Sequence, residues 1–172
     1  MINRQVTIGL SQINNSFSGA NYLPYSIGLL QAYIQKYLSD ASRFRFLEPI
    51  YKRISIKDAV THLASVQIAG FSLYVWNERI SLEIIRNLKK SNPSCLIICG
   101  GPQVPDRAES FLRKNPKIDI TVHGEGEKVF MDLLGTFSSK DLSQVPGISW
   151  IDDSGKFCNN PKAERIKDLA VI

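Results

Sequence analysis

Five short apolar runs alternate with five segments of helical periodicity, and this order limits the fold more than any other feature of the chain. Gln5 to Ile13, "QVTIGLSQI", has the length and apolar content of a buried strand, and the "NNSFSGANYLP" that follows is a polar, glycine-containing loop. "YSIGLLQAYIQKYLS" then places Ile27, Leu30, Ile34 and Leu38 at helical spacing. "RFRFLEPIYK" reads as a second, short strand, and "SIKDAVTHLAS" as a helix capped by Ser55. "VQIAGFSLY" is the strongest strand, followed by a helix that starts at Asn77 and stops at Pro93. "CLIICGG" with "DRAESFLRKNP", then "IDITVHGEGE" with "EKVFMDLLGTF", complete the alternation. Strands and helices in this order predict a parallel sheet covered by helices on both faces. "GISWIDDSGKFCNN" breaks the pattern: Asp152-Asp153-Ser154-Gly155 is turn chemistry between two short strands, which predicts a β-hairpin. The expected organisation is an α/β domain over residues 1–143, with the hairpin and the start of a linker over 144–172.

Several function classes fall away on composition and motif. With 172 residues, 44% of them hydrophobic, the chain can bury a core of its own. No apolar stretch approaches membrane-spanning length, and "MINRQVTIGLSQ" lacks the form of a secretory signal, so a cytoplasmic setting is expected with no membrane partner. The net charge of +5 comes from basic residues scattered over several segments, which gives no reason to expect nucleic acid. Cys95, Cys99 and Cys158 lack the clustering of a zinc or iron-sulfur site and are expected to be free thiols, with no metal ligands in the chain. Neither G-x-G-x-x-G nor G-x-x-x-x-G-K-[ST] occurs, and the acidic residues of a phosphate receiver are missing from the strand ends.

The glycines fall instead after the fourth and fifth strands, as Gly100-Gly101 and Gly124-Glu125-Gly126-Glu127. In open α/β sheets ligands bind beyond the carboxyl ends of the strands. Two readings are open there: the glycines let a flat ligand lie against the backbone, or they form tight turns that need positive φ. Glu125 and Glu127 stand at a helix entry, an ordinary placement for acidic residues, and are not expected to form an acid-base pair.

The order of "NYLPYSIGLLQAYIQ", "AGFSLYVWN", "CGGPQVP", "VHGEGE" and the closing "VPGISWIDDSGKFCNNP" resembles the N-terminal cobalamin-binding domain of cobalamin-dependent radical S-adenosylmethionine (SAM) enzymes, class B methyltransferases in particular. The resemblance spans nearly the whole chain. It implies a doubly wound, flavodoxin-like (Rossmann-like) five-stranded parallel sheet. It also implies a pocket for the dimethylbenzimidazole nucleotide tail of cobalamin formed by Ser72, Gly100, Gly101, Gly124, Glu125 and Gly126, with Gln103 as a further polar contact. Trp76 is the implied neighbour of the lower corrin face, and Tyr22 to Tyr25 lie at the rim. Many such domains carry D-x-H-x-x-G after the first strand, whose histidine ligates cobalt. Aligned on Gly28, this chain has Leu23 and Tyr25 at those positions, so cobalamin, as methylcobalamin or hydroxocobalamin, is expected base-off with no histidine ligand. SAM and a [4Fe-4S] cluster would belong to a radical SAM domain outside this chain, which alone is not expected to be catalytic. The alternatives are a stand-alone cobalamin carrier or sensor, and a flavodoxin-like flavin-binding protein.

Overall fold

A computed structural model describes residues 5–167. β1 (Val6–Ser11) is buried along its whole length, as expected of a central strand covered on both faces. Two short strands, β2 (Ser16–Phe17) and β3 (Ala20–Asn21), follow it, then α1 (Tyr25–Tyr37) and β4 (Phe44–Phe46). Three further helix-strand pairs complete the alternation: α2 (Ile56–Leu63) with β5 (Ile68–Ser72), α3 (Glu78–Ser91) with β6 (Leu96–Gly100), and α4 (Glu109–Lys114) with β7 (Ile120–Val122). α5 (Gly126–Thr136) and the strands β8 (Ile148–Ile151) and β9 (Phe157–Asn159) end the series. Ser55 caps α2 as its position in the sequence predicts, its Oγ accepting from the Asp58 amide at 3.1 Å.

The strands pair in the order β4-β1-β5-β6-β7-β8-β9. Pairing is parallel from β4 to β7, and β8 and β9 add antiparallel to the same sheet. The five parallel strands, β4-β1-β5-β6-β7, thus keep the expected doubly wound order, and the β8–β9 hairpin extends the sheet beyond β7. Strand alternation divides the core into two layers. Ile8, Leu10, Ile68, Ile98 and Ile120 pack with α1 and α5, whereas Ala69, Phe71, Ile97 and Cys99 pack with α2, α3 and α4.

One element differs from the sequence expectation. The segment read as a loop after β1 folds into the β2–β3 hairpin, turning at Ser18 and Gly19, which both have positive φ (49° and 79°). Its strands have two residues each and are exposed, so they carry no apolar alternation to reveal them. Among the described residues no helix is long and apolar enough to cross a membrane.

Candidate functional site

The register of β5 against β6 sets Ser72 opposite Gly100 at the carboxyl end of the sheet. Gly70, Ser72 and Gly100 share the face that α1 and α5 cover, since they alternate in step with Ile68 and Ile98. Three small residues on one face leave the space between sheet and helices unfilled. The result is a cavity of about 260 Å³, walled mainly by Leu10, Ile27, Leu30, Ile98, Val122 and Phe130. The turns after β6 and β7 close its outer end with Gly101, Pro102, Gly124, Glu125, Gly126 and Glu127.

A polar network fixes the mouth. Ser26 donates to Gln12 Oε1 at 2.6 Å, and the Ser26 and Ser72 hydroxyls lie 3.2 Å apart. Asn77, fully buried, donates through Nδ2 to the carbonyls of Ile13 and Ser72, both at 3.0 Å, and accepts from the Tyr74 amide at 2.9 Å. These bonds clamp the ends of β1 and β5 together at the point where the strand order reverses.

The glycines divide by cause. Gly101 has φ +99°, and a Cβ there would stand 2.7 Å from the Leu73 carbonyl oxygen and 2.8 Å from its nitrogen. The chain itself requires this glycine, because the β6 turn curls around Leu73: Leu73 N–H donates to Gly100 O at 2.7 Å, and Gln103 N–H to Leu73 O at 3.1 Å. Gly124 has φ +75° with open space around it, so its requirement is conformational. A Cβ on Gly126 would meet Leu30 at 3.1 Å, where α5 approaches α1. At Gly100 a Cβ has ordinary contact distance to Val122, 3.6 Å, and would stand in the cavity. The two glycines of the pair thus answer to different demands: Gly101, also at the cavity, to the Leu73 backbone, and Gly100 to the cavity alone.

Phe17, Tyr22, Leu23, Tyr25, Val75 and Trp76 are exposed, and all lie on the segments that follow β1 and β5 at the carboxyl end of the sheet. Trp76 stacks on Tyr74, itself a lining residue, with ring centroids 4.6 Å apart at 14°. The cavity thus ends beside exposed aromatic residues at the carboxyl edge of the sheet.

The family model described as B12 binding domain matches residues 7–134. The chain belongs to this family. The B12-binding domain is 34% identical over 158 residues to the cobalamin-dependent radical SAM methyltransferase TokK of Streptomyces tokunonensis, covering 89% of this chain and 23% of that protein. It is also 34% identical, over 138 residues, to a 2-(S-pantetheinyl)-carbapenam-3-carboxylate methyltransferase of Streptantibioticus cattleyicolor, covering 77% of this chain and 20% of the relative. Among solved structures its fold matches the cobalamin-dependent SAM radical enzyme OxsB with aqua-cobalamin and SAM bound, with TM-score 0.76 at 22% identity over 95% of this chain and 23% of that one. The chain thus spans less than a quarter of the length of these proteins.

Within this B12-binding domain, Ser72, Gly100, Gly101, Gly124, Glu125 and Gly126 come together around the cavity. Trp76, Tyr25 and the Gln103 side chain lie outside its lining. Sequence reasoning missed Gln12, Ser26, Gly70, Asn77 and the apolar wall; Gly70, a glycine in the middle of a buried strand, was the one available signal. His62 is bonded through Nε2 to the Glu48 carbonyl at 2.8 Å, and His123 through Nε2 to Ser149 Oγ at 2.8 Å. Burial holds the His123 pKa below its ordinary value. Neither histidine lines the cavity. Burial also pushes the Cys95 thiol up to about 12 and raises Cys99, so both act as core side chains.

Proposed function

We propose that this chain is the cobalamin-holding module of a radical SAM methyltransferase, with the nucleotide tail inserted between the sheet and helices α1 and α5. The observation that carries this reading is the cavity created by Gly70, Ser72 and Gly100, opening onto the aromatic rim. The apolar wall would receive the aromatic base, and the Ser26–Ser72 pair at the mouth would meet its polar edge. Trp76, braced by Tyr74, would cover the lower face of the corrin and keep water from it. With Leu23 and Tyr25 where a D-x-H motif would stand and both histidines engaged elsewhere, base-off binding without a protein imidazole fits this chain. Bound cobalamin supplies a cobalt-held methyl group, and the chain's own residues hold, orient and shield it.

Residues 144–172 would form the hairpin and the lead toward a radical SAM domain that carries SAM and the [4Fe-4S] cluster. The methyl acceptor would be met there. Three free thiols fit a reducing, cytoplasmic setting.

Titration with hydroxocobalamin and methylcobalamin, followed by absorbance, tests the reading. A base-off spectrum is expected, with affinity reduced at least about tenfold by Gly100→Leu, which fills the cavity, one tenfold step being about 1.4 kcal/mol. A folded chain that binds neither compound, or binds with the base still on cobalt, would overturn it.

A further inference from the structure

Glu127 is the lining residue left unexplained by the pocket's own bonding. Its Oε2 is buried and has no hydrogen-bond partner among the described residues. The neighbouring polar groups are committed: Ser26 donates to Gln12, Lys128 is paired with Asp132 at 2.6 Å, and Glu125 Oε2 already accepts from the Ile166 amide at 2.7 Å. Of the other lining residues, Ser72 and Tyr74 carry hydroxyl donors, but Ser72 is engaged with Ser26 and neither is bonded to Glu127; the rest of the wall is apolar side chains and glycine. Buried acceptors are nearly always satisfied, so the missing donor is expected to arrive with the ligand.

We propose that Glu127 Oε2 accepts a hydrogen bond from a ribose hydroxyl of the corrinoid's nucleotide tail. The inference rests on the proposed insertion of that tail into the cavity, and chemical elimination selects the sugar. The aromatic base suits the apolar wall and needs no carboxylate. The phosphodiester is an anion and is disfavoured beside Glu125 and Glu127. The sugar alone brings neutral hydroxyl donors, and a hydrogen bond to an ionised acceptor is the stronger kind. Glu127 thereby acts as a specificity contact that distinguishes complete corrinoids from those without a nucleotide tail.

The test compares hydroxocobalamin with aquacobinamide, which lacks base, ribose and phosphate, on the full chain and on Glu127→Ala and Glu127→Gln. Calorimetric titration reads affinity, and thermal melting of the cofactor-free variants reports folding. The parent should bind cobalamin more tightly than cobinamide. Glu127→Ala should weaken cobalamin about ten- to a hundredfold and leave cobinamide unchanged. Glu127→Gln, which keeps an acceptor oxygen, should fall between parent and Glu127→Ala. A Glu127→Ala chain that keeps the full preference, or loses affinity for both compounds alike, overturns the contact while leaving tail insertion standing. A parent chain that binds both compounds equally overturns tail insertion, and the contact with it.

Discussion

Replacing Gly101 by alanine puts a methyl group where the Leu73 backbone already stands. Two terms set the size of the effect. A side chain held at φ +99° is strained by about 1–3 kcal/mol. Contact at 2.7 Å and 2.8 Å with backbone atoms, which cannot rotate away, adds roughly 1–3 kcal/mol of overpacking. The expected loss is about 4 kcal/mol, which in a domain of this size lowers the melting temperature by roughly 8–16 °C. Gly100→Ala is the internal control, because its new Cβ lies 3.6 Å from Val122 and should change stability by no more than about 1 kcal/mol. Urea unfolding of the two variants and the parent, with slopes compared to confirm a common unfolded state, measures the difference directly. If Gly101→Ala falls within about 1 kcal/mol of Gly100→Ala, the assignment of one glycine to the backbone and the other to the cavity is wrong.

Two further outcomes follow from the polar groups. Asn77→Ala removes a buried side chain that satisfies three backbone groups and should destabilise the chain by about 3 kcal/mol or more, read as a lower urea midpoint. Asn77→Asp should not restore it, since a carboxylate cannot donate to the Ile13 and Ser72 carbonyls. His123 sets a pH dependence: burial lowers its folded pKa below the ordinary 6.5, so its contribution is fully present above that value. As pH falls below 6.5 the unfolded chain binds the proton first and stability drops, until the folded pKa is passed. Unfolding midpoints measured against pH should flatten across that window in His123→Gln, and an unchanged slope would refute the assignment.

The layout of the sheet was legible because each strand is a short apolar run bounded by polar residues, and each helix repeats apolar positions at its own period. The β8–β9 hairpin was equally legible, since Asp152 to Gly155 announces its turn. Gly155 donates to Asp152 O at 2.9 Å, and Asp152 Oδ1 accepts from the Ser154 amide at the same distance. The β2–β3 hairpin was hidden because two exposed residues per strand create no pattern. At the site, Ser72 and the glycines could be found because strand ends and Cβ-free turns mark themselves in sequence. Gln12, Ser26 and Asn77 could not, because their roles depend on partners distant along the chain: Asn77 reads locally as a helix start, yet its amide serves the carbonyl of Ile13, 64 residues earlier. Trp76 and Tyr25 stand outside the lining for a related reason, since sequence locates a loop but not the direction of its side chains.

The brevity of β4 and β9, three residues each at the two ends of the sheet order, bears on how copies of this chain behave in a crowded solution. An open sheet offers unpaired amides and carbonyls along both margins, and long flat margins recruit strands from other molecules. Here each margin is only a few peptide units long, and the β9 side runs directly into Asn160 and Pro161, the latter without an amide hydrogen to donate. The strongly apolar central strands are shielded between these margins, so sheet-to-sheet growth into fibrous aggregates finds little template to extend.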